Sequence, residues 1–356
     1  MTDRSIAEIH MAEFDVPNAQ AYAPGRVNLI GEYTDFNDGL VLPMPLDLGV
    51  SIALSKRDDG KFVAQSASFE GQVTRQIDEK ASGHWTDYLL GSVQYSGAGS
   101  EGVSISVSTT LPVGASVSSS AAVEVAVLRA MRRAYNLDYS DKALARIAQR
   151  VENEYVGVGS GLMDQMVISV GEPRKALFFD TQSGATKNYD MLRDTVLLTL
   201  HSGITRKLTE NAYNDRRASC ERAAADMGVE SLREATADML LHVKDQDDRR
   251  KAGHVVAEND RVLACLGALE AGDAAGFGAI MYDGHESLST DFEVSKPEMD
   301  AMIEAARGAG ALGARMTGAG FGGCIVVLSR PDQVDGLKAK IVDEFPASWL
   351  VSEQVF

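Results

Sequence analysis

A carboxylate follows a glycine loop in the segment Gly157-Val-Gly-Ser-Gly161-Leu-Met163-Asp164-Gln165, at the predicted start of a helix. A side chain held there could take a proton from a substrate and act as a general base. An aspartate at this position is more often a helix cap, because its oxygens accept from the free N–H groups of the first turn. The segment alone leaves both interpretations open for Asp164.

A loop of small residues runs Leu111-Pro-Val-Gly114-Ala-Ser-Val-Ser118-Ser-Ser120-Ala-Ala, between a predicted strand and a predicted helix. Unpaired backbone N–H groups and the helix dipole favour a phosphate at such a point, and a hydroxyl there could bind Mg²⁺. An ordinary serine-capped loop would give the same pattern. No G-x-x-x-x-G-K-[ST] sequence occurs, which excludes a Walker P-loop.

Glycines are concentrated in Gly313-Ala-Arg-Met-Thr-Gly318-Ala-Gly320-Phe-Gly-Gly323-Cys324, which contains a formal G-x-G-x-x-G. A dinucleotide fingerprint follows a strand and opens a helix, whereas these glycines lead into a predicted strand. The chain also lacks the H-R-D and D-F-G sequences of protein kinases. The pattern favours close backbone packing or close approach of a ligand over a simple turn.

Charged and polar residues crowd the segment from Ala23 to Asn37, which contains Arg26, Glu32, Tyr33 and Asp35. Carboxylates that accept hydrogen bonds from neighbouring hydroxyls are a common means of binding sugars. An exposed turn with solvated charges would have a similar composition. The residue types alone do not separate the two.

The net charge of −17 argues against nucleic acid or an anionic membrane as a partner, because both require a basic surface. No apolar run reaches the roughly 18 residues of a membrane span, and the N-terminus does not resemble a secretory leader. Three widely spaced cysteines make a disulfide framework or a zinc site improbable. These features predict a cytoplasmic protein, in which any nucleotide must be attracted locally by backbone donors, a metal ion and basic side chains.

Strands and helices alternate along the whole chain. Strands are predicted at 50–54, 103–107, 176–179, 195–200 and 324–328, from alternating or continuous apolar runs. Helical stripes include Val123 to Tyr135 and Leu144 to Tyr155, the latter with Ser140 as N-cap. Several further helices are predicted between 217 and 275. The pattern indicates two α+β domains, 1–190 and 191–356.

Together the four segments resemble the galactokinases, within the GHMP small-molecule kinase family. Further matching stretches are His84-Trp85-Thr-Asp-Tyr88, Tyr213-Asn-Asp-Arg-Arg217, His254-Val-Val-Ala-Glu-Asn259 and Asp291-Phe-Glu-Val-Ser295-Lys-Pro-Glu298. The resemblance covers nearly the whole chain. It implies a mixed-sheet N-terminal domain, an α/β-sandwich C-terminal domain and an active site in the cleft between them.

The resemblance implies transfer of the γ-phosphoryl group of ATP to the C1 hydroxyl of galactose, with Asp164 as base and Arg26 stabilising the phosphoryl group. Mg²⁺ is then held by Ser120 and Glu152. The implied sugar-binding residues are Glu32, Tyr33, Thr34, Asp35, Gly161 and Tyr213. The implied ATP-binding residues are Ser66, Trp85, Gly114, Ala115, Ser116, Val117, Ser118, Ser119 and Ser120. Sugar and ATP are the expected partners, and the expected state is a monomer or weak homodimer.

The chain departs from the family pattern at a few positions. Tyr33 stands where histidine is usual, and Phe36 where tyrosine is commoner. Ser116 and Ala319 each replace a usual glycine, and Ser160 a usual cysteine. A phenol is bulkier than imidazole and does not take on a proton near pH 7, so Tyr33 should alter the contacts with the sugar. Another sugar such as arabinose or N-acetylgalactosamine is therefore one alternative acceptor. A non-catalytic galactose and ATP sensor is the other alternative.

Overall fold

The computed structural model describes residues 4–99, 101–112, 114–205 and 209–356. In these residues the strands are β1 (Ala19–Asn28), β2 (Leu40–Val41), β3 (Pro43–Arg57), β4 (Lys61–Ser66), β5 (Phe69–Gln76), β6 (Gly102–Thr109), β7 (Lys175–Asp180), β8 (Thr186–Asp190), β9 (Val196–His201), β10 (Gly313–Met316), β11 (Cys324–Ser329) and β12 (Trp349–Val355). The helices are α1 (Ile6–Met11), α2 (Asp87–Tyr95), α3 (Ser119–Tyr135), α4 (Asp141–Arg150), α5 (Met163–Val170), α6 (Thr209–Met227), α7 (Gln246–Ala271), α8 (Ala274–Thr290), α9 (Pro297–Gly308) and α10 (Val334–Glu344). Short 3₁₀ turns lie at Asp35–Asn37, Leu232–Glu234, Ala237–His242 and Pro331–Gln333.

The first of two compact units comprises Met1–Gly25, Leu48–Pro112 and Ser118–Val170. Its sheet has the order β1-β3-β6-β4-β5. The sheet is mixed, because β4 runs parallel to β6 while the β3–β6 and β4–β5 pairs are antiparallel. Helices α3, α4 and α5 pack on one another, and inward side chains such as Phe62 and Ile105 are fully buried. Burial of these apolar side chains stabilises the platform that carries Ser118–Ser120 and Asp164.

The second unit comprises Arg26–Asp47, Val113–Val117 and Gly171–Phe356. It contains an antiparallel sheet of order β10-β11-β9-β12 and a three-stranded sheet of order β2-β7-β8. Helices α6, α7 and α8 pack in succession, and α8 also lies along β10. Phe292, Ile303 and Ile325 belong to its buried core. This core supports the polar segment that follows Arg26.

The five predicted strands and the stripe at α3 are confirmed, as is the side chain of Ser140, which accepts from the Ala143 N–H at the start of α4. The helical stripe does not continue unchanged through Tyr155. It passes from α4 into a π-helical turn, Val151–Val156, where the Glu152 carbonyl accepts from both the Gly157 and Val158 N–H groups. Such widened turns occur frequently at functional sites. The division of the chain at residue 190 remains a prediction.

Within the part of the chain that the structure describes, none of the helices combines the length and apolar character that a membrane crossing requires.

Candidate active site

The small-residue segment 111–122, here called the serine loop, runs from the end of β6 into the first turn of α3, as predicted. Val113 lies outside the described residues. Ser118 immediately precedes α3 in a left-handed conformation, with φ of 60°, and no side chain caps the helix. The first turn, with Ser119 and Ser120, contains no acidic residue. The positive end of the helix dipole is therefore not neutralised by its own helix, a condition that favours an anion.

Asp164 is the second residue of α5 and lies beside Ser118, in a part of the serine loop that belongs to the first unit. The Ser118 hydroxyl donates to Asp164 Oδ2 at 2.5 Å. Gly161, three residues earlier, is half-buried and ends the run of glycines at 157–161. The structure thus brings the predicted base to the predicted phosphate loop.

Glu152 lies in the π-helical turn and is 7 % exposed. Its Oε1 accepts from Ser120 at 3.0 Å, and its Oε2 accepts from Ser160 at 2.7 Å and from Gln165 at 2.6 Å. Burial raises the pKa of Glu152, these hydrogen bonds oppose the shift, and the Asp164 charge adds to it. The two predicted metal ligands, Ser120 and Glu152, are therefore in contact.

A further carboxylate lies nearby that the sequence patterns did not single out. Glu124 is fully buried in α3, and neither of its carboxylate oxygens has a hydrogen-bond partner among the described residues. Burial and the charges of Glu152 and Asp164 raise its pKa well above the ordinary value, against the nearby Gln165 amide. The available signal was an acid four residues after Ser120 on an otherwise apolar helix face.

The donor set at Ser120 and Glu152 fits Mg²⁺. A hydroxyl and a carboxylate are hard oxygen ligands, and the buried acids around them favour a divalent cation. Among the described residues, no group of three or more His, Cys, Asp or Glu side chains could hold a metal ion. Mg²⁺ does not need one, because it is usually bound through one or two carboxylates together with substrate phosphates.

In the second unit, Arg26 lies in β1 and is 5 % exposed. Its Nη1 donates to the Ser116 carbonyl at 3.1 Å, and its backbone N–H donates to the Val117 carbonyl at 3.1 Å. Ala115 and Val117 are buried, while Gly114 is exposed. The predicted cation therefore lies directly against the first half of the predicted phosphate loop.

The segment 29–40, here called the sugar loop, is folded tightly on itself. The Thr34 hydroxyl is fully buried and contacts the Gly31 and Leu40 carbonyls at 2.9 and 2.6 Å. Asp35 begins a 3₁₀ turn, and its Oδ1 accepts from the Phe36 N–H at 3.1 Å. The Thr34 hydroxyl is thus engaged in holding the loop.

Tyr33 has a left-handed backbone, with φ of 67°, and is 5 % exposed. Its ring centroid lies 5.5 Å from that of Tyr213, 6.1 Å from that of Phe36 and 4.5 Å from that of Phe292. Its hydroxyl donates to the Ala319 carbonyl at 2.6 Å. The rings of Tyr33 and Phe36 in the sugar loop therefore form an aromatic cluster with Phe292 and with the predicted sugar-binding residue Tyr213.

Glu32 shares a buried ionic network with Arg315 of β10 and Glu258 of α7, neither of which was predicted. Arg315 Nη2 donates to Glu32 Oε2 and to Glu258 Oε1, the latter at 2.8 Å. Burial raises the pKa of Glu32 to about 8, against the charge of Arg315. The pKa of Glu258 is lowered despite its burial, because Arg315, His254 and Arg261 oppose the effect.

One face of α7 holds the backbone of the sugar loop. The residues concerned belong to the stretch His254-Val-Val-Ala-Glu-Asn259, where positions 254, 258 and 259 share a face by helical spacing. The contacts are between His254 Nε2 and the Glu32 carbonyl at 3.3 Å, between the Gly31 N–H and Glu258 Oε1 at 3.0 Å, and between the Leu40 N–H and Asn259 Oδ1 at 2.8 Å. This stretch therefore positions the loop.

The remaining predicted nucleotide residues lie in the first unit. Trp85 stacks on Phe69, with centroids 5.0 Å apart and planes at 19°. Ser66 ends β4, and its Oγ accepts from the Ser68 N–H at 3.1 Å. Phe69, which is 47 % exposed, was not predicted as part of a site.

Three family models match the chain: the galactokinase galactose-binding signature at residues 8–56, the GHMP kinase N-terminal domain at 87–172 and the GHMP kinase C-terminal domain at 265–347. A galactokinase of Streptomyces coelicolor is 39 % identical over 98 % of this chain and 93 % of that protein. The chain belongs to the galactokinase family. Solved structures agree: that of Lactococcus lactis galactokinase complexed with galactose matches with a TM-score of 0.91 and 30 % identity over 99 % of each chain.

A Methanococcus jannaschii mevalonate kinase also matches, with a TM-score of 0.72 and 16 % identity over 95 % of this chain and 98 % of that one. At that identity the likeness concerns the fold alone. The predicted two-domain GHMP kinase fold and the predicted enzyme class, a galactokinase-type kinase, are confirmed. The galactose-binding signature includes Arg26 and the sugar loop, the N-terminal model includes the serine loop and Asp164, and the C-terminal model includes the glycine cluster.

Proposed function

We propose that the protein transfers the γ-phosphoryl group of ATP to the C1 hydroxyl of galactose, giving galactose 1-phosphate and ADP. Membership of the galactokinase family and the galactose-binding signature at residues 8–56 support the substrate. The observation that carries the chemistry is the pairing of Asp164 with Ser118, beside Ser120 and Glu152. This arrangement offers a base next to a phosphate loop and a metal-binding pair.

Asp164 acts as the base. Its carboxylate accepts the proton of the C1 hydroxyl, the sugar oxygen forms a bond to the γ-phosphorus, and the bond from that phosphorus to the bridging oxygen breaks. The electron pair leaves with ADP. Phosphoryl transfer depends mainly on positioning and charge stabilisation, so one base is sufficient on the acceptor side. Ser118 orients that base through its 2.5 Å contact.

Charge stabilisation comes from Arg26 and from the loop at residues 114–120. Arg26 is fixed by the Ser116 and Val117 carbonyls, and we assign it to the charge of the transferring phosphoryl group. The backbone N–H groups of the loop bind the other phosphate oxygens. Ser120 and Glu152 would hold Mg²⁺, which supplies neutralisation of phosphate charge when bound.

The sugar loop supplies the acceptor site. We assign Glu32, Asp35 and Tyr213, with the Gly161 backbone, to the sugar hydroxyls. Tyr33 and Thr34 complete the set, the first through its ring and the second by shaping the loop. Trp85, stacked on Phe69, and Ser66 are assigned to the adenine end of ATP.

The test is turnover with Mg-ATP and a panel of galactose, 2-deoxygalactose, N-acetylgalactosamine, glucose, arabinose and fucose, followed by ADP release. Asp164→Asn should lower kcat by about 10²–10⁴-fold, the usual scale for loss of a general base, with an unchanged unfolding midpoint. Asp141→Asn is the matched control, because Asp141 also lies in the first turn of a helix but, among the described residues, forms its ion pair with Arg132 at the surface. Unchanged turnover in Asp164→Asn would remove Asp164 from the mechanism.

The panel also separates the alternatives. Tyr33 beside the predicted sugar ligands is the observation that favours another acceptor, and turnover on arabinose or N-acetylgalactosamine alone would keep the mechanism and change the substrate. Retained binding of galactose and ATP without turnover on any sugar would identify a sensor. The cytoplasmic location and the monomeric or weakly dimeric state remain predictions.

A further inference from the structure

The glycine-rich segment Thr317–Cys324, here called the glycine loop, is closely fitted to its surroundings in the second unit. Left-handed backbone occurs at Gly318, Gly320, Phe321, Gly322 and Gly323, with φ between 59° and 125°. A Cβ at Gly320 would lie 2.3 Å from the Val294 carbonyl oxygen, and one at Gly322 would lie 2.8 Å from that of Ile204. Only glycine fits at these two positions. None of the site residues assigned above belongs to this loop, so its function is open.

The glycine loop contacts three segments of the proposed site. Thr317 Oγ1 accepts from the Asn28 N–H at 2.8 Å and contacts the Asn28 carbonyl at 3.1 Å, two residues from Arg26. The Ala319 carbonyl accepts from the Tyr33 hydroxyl at 2.6 Å. At the other end, Cys324 Sγ contacts the Ala115 carbonyl at 2.9 Å.

These contacts form a continuous path. Tyr33 belongs to the sugar loop, and Ala115 belongs to the serine loop, which is the predicted phosphate-binding loop. The backbone between their partners, Ala319 and Cys324, is the glycine loop itself. All of these residues belong to one compact unit.

We propose that the glycine loop couples sugar binding to nucleotide binding, with Tyr33 and Cys324 as positioning residues at its two ends. The proposal rests on the proposed function, in which the sugar loop binds the acceptor and the phosphate loop binds the nucleotide. It adds a path by which each ligand affects the affinity for the other.

The physical basis is conformational entropy. A backbone with so many glycines loses much conformational freedom when it is held in one conformation. Whichever ligand binds first restrains one end of the path and reduces the conformational entropy of the loop. Binding of the second ligand then costs less of that entropy, so its affinity is higher. The enhancement must be the same in both directions. If one hydrogen bond transmits it, the expected enhancement is about two- to tenfold.

The experiment is calorimetric titration of galactose with and without saturating Mg-ADP, and of Mg-ADP with and without saturating galactose. No turnover occurs with this pair, so the ratio of the two dissociation constants reports coupling alone. Tyr33→Phe removes only the hydroxyl, and Cys324→Ala removes the thiol. Tyr282→Phe is the matched control, because its hydroxyl also donates to a backbone carbonyl, that of Ala311 at 3.1 Å, away from the path.

The wild type should show an equal enhancement in both directions, and Tyr33→Phe and Cys324→Ala should each bring the ratio close to one. Because the two contacts act in series, the double variant should show no further loss. Cys324→Ser keeps a hydrogen-bond donor toward the Ala115 carbonyl and should therefore retain the coupling. If Cys324→Ala does not fold, Cys324→Ser and Tyr33→Phe still test the path. Tyr282→Phe should retain it as well, even with an equal fall in unfolding midpoint.

A wild-type ratio of one, or full coupling in Tyr33→Phe, would overturn the proposal. Failure of the proposed function would look different, since the wild type would then fail to bind galactose or Mg-ADP even singly, or would bind both without turnover on any sugar of the panel.

Discussion

Replacing Arg315 by methionine should be among the most destabilising single changes in the second unit. Arg315 is fully buried and is the cation shared by Glu32 and Glu258, which are 2 % and 0 % exposed. Methionine has a similar unbranched shape, so the change removes the charge with little loss of volume. Removing one partner of a buried ion pair typically costs about 3–5 kcal/mol, because the other charge stays buried and unpaired.

That cost should lower the unfolding midpoint by at least about 6 °C, at roughly 2 °C per kcal/mol. Arg307→Met is the control, since Arg307 is half-exposed, pairs with the exposed Glu304 and lies over the Tyr282 ring, so its replacement leaves no charge buried. An exposed pair of this kind contributes about 0–1 kcal/mol. The assay is urea unfolding at pH 7, supported by calorimetry.

The decisive variant adds Glu258→Gln to Arg315→Met. If the cost arises from a stranded buried charge, neutralising Glu258 should restore part of the stability that Arg315→Met loses. Purely additive effects would show that the loss comes from packing instead. An Arg315→Met effect below about 1 kcal/mol would refute the ionic account altogether.

The other predictions concern single groups. Burial raises the pKa of Glu32 to about 8, so the native state keeps a proton that the unfolded state releases near pH 4–5, and the free energy of unfolding should fall as pH rises from about 5 to 8. Glu32→Gln should flatten that part of the pH profile of stability, measured by urea unfolding. A profile identical to that of the wild type would contradict the assignment. Ser116 has a φ of 61°, a conformation that costs an L-residue about 1–2 kcal/mol; Ser116→Gly should preserve stability and lower the KM for ATP, and a raised KM would show that the serine side chain contributes to binding.

Local features of the site could be predicted because their determinants are close in sequence. The serine loop is bounded by a strand of alternating pattern and by the apolar stripe of α3, so its position followed from periodicity. Asp164 at the start of α5 followed from the glycines before it. The two-domain fold depended on the resemblance of ordered motifs, since periodicity alone gives elements without their arrangement.

The buried ionic network could not be predicted, because its members are remote in sequence. Arg315 is 283 positions from Glu32 and 57 from Glu258. In the sequence, Arg315 is one residue of a glycine-rich motif and Glu258 one residue of a helical stretch that matches the family, and neither pattern indicates an ion pair. Glu124 was missed for a different reason: a single acid in a helix is usually solvated, and only its complete burial distinguishes it.

The excess of acidic residues in the chain is related to the proposed metal site, because a bound cation would offset the repulsion between those residues and a nucleotide. With a net charge of −17, the protein repels a nucleotide at long range, and the carboxylates of Glu152 and Asp164, whose charges also raise the pKa of the buried Glu124, add to that repulsion beside the serine loop. Backbone donors at α3 are partial charges and offset only part of it. Ser120 and Glu152 would hold a divalent cation, whose charge would reverse the sign of the local field, so the acids that repel the free nucleotide would stabilise its metal complex. Under the proposed function, we therefore expect the carboxylates beside the serine loop to favour the metal-bound form of ATP over the free nucleotide and over other polyanions.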